Sequence, residues 1–121
     1  MQEWRSWPHA PAAGTVLCAL DDIPDGGAKE AAFGEDWDSF RIVLLRSGRE
    51  VRAYRNRCAH VQIPMNYEPG IFHVLDGGLL MCAHHGATYR FEDGFCVDGP
   101  CEGSRLQPVP VSVVNDAVLI G

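Results

Sequence analysis

Short apolar runs alternate with clusters of Gly, Pro, Asp and Asn along the whole chain. Thr15–Leu20 reads as a strand. Asp21-Asp22-Ile23-Pro24-Asp25-Gly26-Gly27 after it reads as a turn, because these residue types take up turn dihedrals readily. Ala28–Phe33 suits a second strand or, by its alanines, a single helical turn. Phe40–Arg46 and Glu50–Arg55, rich in Val, Ile, Leu, Phe and Tyr, flank Ser47-Gly48-Arg49 and predict a β-hairpin. Its second arm runs into Asn56-Arg57-Cys58. Ile71–Leu75 and Leu79–Met81, around Asp76-Gly77-Gly78, predict a smaller hairpin, and Ala87–Phe91 a further strand that Glu92-Asp93-Gly94 ends. Gly99-Pro100 marks another loop. Val109–Val114 and Ala117–Ile120, joined by Asn115-Asp116, predict a closing hairpin. Many short strands with frequent turns predict an all-β fold, a small antiparallel sandwich or barrel.

The remaining segments are polar or proline-rich. Residues 1–13 read as an arm in which Trp4 and Trp7 cover core edges, and 34–39 as a polar loop holding Trp37 in the same role. A chain of 121 residues suits one domain with a modest core. With 46% hydrophobic and 21% charged residues it has the composition of a soluble globular protein. No apolar run is long enough to span a bilayer, and the first residues lack the pattern of a secretory signal, so a cytoplasmic location is expected. The net charge of −6 disfavours nucleic acid as a partner and suits a basic one. Five arginines between Arg46 and Arg57 run against that sign and read as a solvated face or, at most, a docking patch. The odd cysteine count, at positions 18, 58, 82, 96 and 101, argues against a disulfide framework and for metal chemistry.

The chemistry concentrates in two stretches, Cys58-Ala59-His60 and Cys82-Ala83-His84-His85-Gly86. Each sets a thiol and an imidazole two or three residues apart, which only a tight loop can aim at one place. Two such loops side by side supply two sulfurs and two nitrogens, a set that holds either one zinc or a [2Fe–2S] cluster with two histidines on one iron. Structural zinc sites usually pair Cys with Cys and His with His, and they need all four donors on one point. Two Cys-then-His loops serve two points more naturally. Spacing alone leaves zinc open.

The flanks add a resemblance. Asn56-Arg57-Cys58-Ala59-His60, followed by the run from Cys82 through Tyr89, Gly94 and Cys96 to Gly99-Pro100, resembles the cluster-binding part of Rieske [2Fe–2S] ferredoxins. The likeness continues through Leu106-Gln107-Pro108-Val109-Pro110-Val111 and reaches back weakly to Leu20–Gly26. It implies a single Rieske domain over 1–121, with a cluster-binding subdomain at about 56–103 inserted in a base β domain. It implies one [2Fe–2S] cluster, with Cys58 and Cys82 on the inner iron and His60 and His85 on the exposed one. Gly86, Tyr89, Gly99 and Pro100 would lie around the cluster, the Tyr89 hydroxyl within reach of a cysteine sulfur and Gly99-Pro100 in the family's proline loop. His84 is one position too early to be a ligand, and His9 and His73 fall outside any motif. Cys18 reads as core, and Cys96 and Cys101 as buried free thiols, with a disulfide between them as the alternative. The 21 residues between His60 and Cys82 exceed the commonest family spacing. High-potential members carry a disulfide whose cysteines would fall at Ile63 and His84, and a serine donor where Ala87 stands. Fewer donors to the sulfurs destabilise the reduced state, so the resemblance implies the low-potential branch.

The resemblance also implies what such a chain does. The formal charges of two ferric ions, two sulfides and two thiolates cancel, so the oxidised centre is neutral and accepts an electron more readily than a four-cysteine cluster, which is already negative. The implied function is one-electron transfer between a flavin-dependent reductase and a terminal enzyme such as an oxygenase, with no catalytic activity of its own. A redox-sensing regulatory role and a structural zinc module are the alternatives. A catalytic oxygenase subunit would need a second, mononuclear iron, for which only His9, His73 and His84 are left.

Overall fold

The structure is a computed structural model and describes residues 11–33, 40–56, 73–75, 79–81, 88–98 and 105–121. Those residues form ten strands: β1 (Val16–Ala19), β2 (Ala28–Phe33), β3 (Phe40–Ser47), β4 (Glu50–Arg55), β5 (His73–Leu75), β6 (Leu79–Met81), β7 (Thr88–Tyr89), β8 (Cys96–Asp98), β9 (Val111–Val114) and β10 (Ala117–Ile120). They assemble into three antiparallel sheets, ordered β1-β10-β9, β2-β3-β4 and β5-β6-β7-β8. The only helical element among them is a 3₁₀ turn at Leu20–Asp22. The all-β fold predicted by the strand pattern is the fold observed.

The layering follows from β3. Its residues Ile42, Val43, Leu44 and Leu45 are all buried, although successive side chains of a strand point to opposite faces. Both faces therefore need a cover. Ile42 and Leu44, with Val51 and Ala53 of β4, pack with Leu20, Ile23, Val109, Val118 and Ile120, on the side of β1-β10-β9. Val43 and Leu45, with Tyr54, pack with Leu80, Tyr89, Phe91, Cys96 and Leu106, on the side of β5-β6-β7-β8. Each fully buried Leu or Ile contributes about 1.5–3 kcal/mol. The central sheet thus joins two cores, one with the terminal hairpin and one with the strands that bracket the second Cys–His stretch.

Several elements differ from the sequence pattern for local reasons. Ala28–Phe33 is a strand along its whole length, paired residue by residue with β3, so the helix preference of its alanines yields to the sheet. β1 stops at Ala19, because the Asp22 carboxylate accepts from the Ala19 N–H at 3.0 Å and winds the next residues into the 3₁₀ turn. β7 ends at Tyr89, since Arg90 N–H bonds Phe95 O (3.0 Å) and Gly94 N–H bonds Arg90 O (2.9 Å), closing the turn that leads to β8, a strand the apolar pattern did not reveal. Val109 belongs to a different pairing from β9: Val109 N–H donates to Ala53 O and Arg55 N–H to Gln107 O, both at 2.9 Å, so 107–109 covers the outer edge of β4. Pro108 sits opposite Tyr54, between those two bonds, where its missing N–H costs nothing. The closing hairpin turns through Asn115 and Asp116, both at positive φ, as a two-residue turn between twisted strands requires.

The arginines expected as a solvated face divide. Arg49 stays exposed, and Arg52 is half-buried with its guanidinium over the Phe91 ring. Arg46 turns inward to donate to the carbonyls of Leu20 and Ile23 at 3.3 and 2.9 Å, and Arg55 is buried with its guanidinium over the Phe40 ring. Arg57 lies outside the described residues, as do Trp4, Trp7 and Trp37.

One close approach locks the central sheet to the β7–β8 turn. Tyr54 is buried, and its hydroxyl donates to Phe91 O at 2.7 Å. Gly94 lies on its ring, with φ at +72° and the position of a Cβ only 2.7 Å from the ring edge. Gly94→Ala is therefore expected to cost about 2–5 kcal/mol, from left-handed strain plus overpacking. Gly48→Ala, at φ +64° with open space around it, should cost only the strain of about 1–2 kcal/mol. Denaturant unfolding of the two variants checks the difference; equal losses would remove the ring contact from the account.

Candidate metal centre

The site is bracketed by strands that share one core. β4 runs out through Arg55 to Asn56, one residue before the stretch that holds Cys58 and His60. β6 and β7 pair through Leu80 with Tyr89 and Met81 with Thr88, so residues 82–87 are the connection of a closed hairpin. Tyr54 of β4, Leu80 of β6 and Tyr89 of β7 belong to the same buried cluster. The two Cys–His stretches therefore leave from neighbouring, packed elements rather than from separate parts of the molecule.

Cys58, His60, Cys82, His85, Gly86, Gly99 and Pro100 lie outside the described residues, as do His9, Ile63, His84, Ala87 and Cys101. Tyr89 is fully buried in β7. His73 opens β5 opposite Met81. Cys96 is fully buried, and its S–H reaches Asp98 O at 3.3 Å. Cys18 is a free thiol in β1, half-buried; burial, reinforced by Asp22 and opposed by Lys29, pushes its pKa up, which keeps it protonated and unreactive. Among the described residues no three or more His, Cys, Asp or Glu side chains form a metal-binding group.

The first stretch springs from a polar anchorage that the strand pattern did not reveal. Asn56 is 2% exposed. Its N–H donates to Arg41 O at 2.8 Å, and its side-chain amide donates to Glu30 Oε2 at 2.9 Å. The same carboxylate oxygen accepts from Arg41 Nη1 at 3.1 Å, with the Glu30 side chain 7% exposed. Glu30 pairs with Val43 across the sheet, and Arg41 lies two residues before Val43, so the pair lies on the face of the sheet that meets β6 and β7. The signal in the sequence was a lone acid in the middle of an alanine-rich strand. Among the described residues no buried side-chain nitrogen or oxygen lacks a partner.

Tyr54 frames the other side. Burial, reinforced by Asp93, pushes its hydroxyl up to about 12, while Arg52 and Arg105 pull it down. At the turn beyond, Arg90 pairs with Asp93 on the surface and holds the Asp93 carboxyl below the usual carboxylate range, with the Phe95 N–H adding to it. An open groove of about 460 Å³ runs past Arg52, Tyr54, Asp93 and Arg105 to Pro110.

In chemical terms, the two thiols and two imidazoles that the sequence carries in its Cys–His stretches are donor types that fit a [2Fe–2S] cluster with mixed ligation. An all-β chain so built is of the iron–sulfur class. It belongs to the Rieske [2Fe–2S] domain family, whose model matches residues 14–114, and one [2Fe–2S] cluster is its cofactor. Its fold is shared by solved structures of low sequence identity. The ferredoxin of carbazole 1,9a-dioxygenase from Nocardioides aromaticivorans IC177 is 22% identical, with a TM-score of 0.69 over 91% of this chain and 98% of that one. The Sphingomonas yanoikuyae B1 ferredoxin is 20% identical, with a TM-score of 0.65 over 88% of this chain and 96% of that one. The terminal oxygenase of carbazole 1,9a-dioxygenase from the same Nocardioides strain is 23% identical, with a TM-score of 0.72, over 89% of this chain but 29% of that one. No curated protein matches the chain significantly.

Loss of the Tyr54 hydroxyl leaves the Phe91 carbonyl buried without that donor, so Tyr54→Phe should cost about 1–3 kcal/mol near neutral pH. Because the folded-state pKa is raised above that of the unfolded chain, about 10, the hydroxyl's contribution is complete below pH ~10 and lost as pH rises through ~12. Denaturation from pH 8 to 12 should show wild-type stability falling more steeply than that of Tyr54→Phe above pH ~10. Parallel profiles would contradict the assignment.

Proposed function

We propose that this protein is a one-electron carrier of the ferredoxin kind, between a flavin-dependent reductase and a terminal oxygenase, working in the cytoplasm at the low-potential end of its family. Cys58 and Cys82 hold one iron through sulfur, and His60 and His85 hold the other through ring nitrogen. When bound, the cluster accepts and releases a single electron. Four protein donors complete the coordination of both irons, which leaves no open position for a substrate. Residues 56–103 form the cluster-binding unit, with Gly86, Gly99 and Pro100 enclosing it and the Tyr89 hydroxyl donating to a cysteine sulfur. No helix among the described residues is long and apolar enough to cross a membrane, in keeping with a diffusing carrier. The observation that carries the reading is the match to a dioxygenase ferredoxin along 98% of its length, in a family that binds the cluster.

Purified protein is expected to be brown-red, with about two irons and two acid-labile sulfides per chain, and Cys58→Ser or Cys82→Ser should abolish both. A colourless protein with one zinc would sink the reading. With a flavin reductase and a terminal oxygenase supplied, product formation should depend on added protein; a loaded protein that leaves turnover unchanged would point to redox sensing instead. Tyr89→Phe should keep its iron and show a lower midpoint potential, because one donor to sulfur is gone. An unshifted potential would place the hydroxyl elsewhere.

A further inference from the structure

We propose that the Glu30–Arg41 ion pair is a positioning and potential-setting device for the cluster, acting through Asn56. The inference rests on the ligand reading above. Three observations carry it. First, Glu30 is a carboxylate with little solvent around it, in the middle of a strand where an apolar residue would pair equally well with Val43. An ion pair whose carboxylate is this desolvated adds little stability over an apolar pair and is weak evidence for a stabilising role. Second, its second partner is the side chain of Asn56, itself buried, while the Asn56 backbone is held by Arg41 O. Both members of the pair thus grip the residue at which the chain leaves the sheet. Third, Cys58 follows two residues later, so covalent geometry keeps its Cα within ~7 Å of that of Asn56.

Two effects follow. Asn56, bonded through main chain and side chain, fixes the direction in which the Cys58–His60 stretch departs, and with it the placement of a sulfur and an imidazole donor. The two charges also act on the cluster in opposite senses. Reduction adds a negative charge, which a nearby carboxylate opposes and a nearby guanidinium favours, and the partial burial of the pair, 7% exposed at Glu30 and 31% at Arg41, limits solvent screening of both effects. The two offset each other, and removing either half exposes the other.

The test is the midpoint potential of the cluster-loaded protein in Glu30→Gln, Arg41→Gln and Arg41→Lys. Glu30→Gln keeps an acceptor for Asn56 and removes the negative charge, so the potential should rise. Arg41→Gln removes the positive charge, so it should fall. Arg41→Lys keeps the charge and should lie near wild type. Iron content and the electron paramagnetic resonance signature of the reduced cluster should persist in all three. Asn56→Ala should broaden or shift that signature and speed cluster loss. Shifts of the same sign in both glutamine variants, or no shift in either, would overturn the inference while leaving the carrier reading intact. A wild-type chain without cluster would overturn both. If Glu30→Gln fails to hold its cluster, the sign of Arg41→Gln against Arg41→Lys decides alone.

Discussion

A strand buried on both faces needs two covering layers, and β3 is such a strand. Ile42 and Leu44 on one side and Val43 and Leu45 on the other each lose their contribution unless a sheet closes over them. One cover is the terminal hairpin with β1. The other is the four-stranded sheet in which β6 and β7 bracket residues 82–87. The strands that bracket the second Cys–His stretch are thereby held by the same burial that holds the molecule together. Both Cys–His stretches, separated by 21 residues in the chain, are thus flanked by strands of one packed frame.

The polar contacts finish what burial begins. Apolar packing is non-directional and sets layers, not loop exits. Direction comes from bonds with geometry: the Tyr54 hydroxyl on Phe91 O, the paired bonds of Arg55 and Ala53 with the 107–109 segment, and the grip of Glu30 and Arg41 on Asn56. They gather around β4, the strand that hands the chain to the first Cys–His stretch. A [2Fe–2S] centre benefits from such a frame, because a centre whose surroundings move little on reduction spends little energy on rearrangement.

Hairpins with local turn chemistry were legible in the sequence. The β3–β4 and β9–β10 pairs follow from alternating apolar runs around Gly48 and around Asn115-Asp116, and the β5–β6 pair from Asp76-Gly77-Gly78. Strand β8 was not legible. Its three residues have no period of their own and become a strand only by pairing with β7. Nor was the partition of Val109, which its apolar neighbours assign to β9 and which pairs with β4 instead. The inward turn of Arg46 and Arg55 was hidden for the same reason: a charge reads as solvated until a carbonyl or a ring is seen beside it.

The sequence by itself determined the kind of chemistry. Cys58, His60, Cys82 and His85 are the donor types of a mixed-ligand iron–sulfur centre, and their order with Gly86, Tyr89 and Gly99-Pro100 carries the family, because ligand identity is a property of side chains and needs no fold to be read. The tertiary structure decided what surrounds that chemistry. Glu30 and Arg41 are distant from the motifs along the chain, and only the pairing of β2, β3 and β4 brings them to Asn56, two residues before Cys58; Tyr54 and Gly94, each close to one motif, meet only through the packing of the β7–β8 turn on β4. Contacts between residues far apart in sequence depend on register and layer order, which are set by the burial of whole faces rather than by any local pattern.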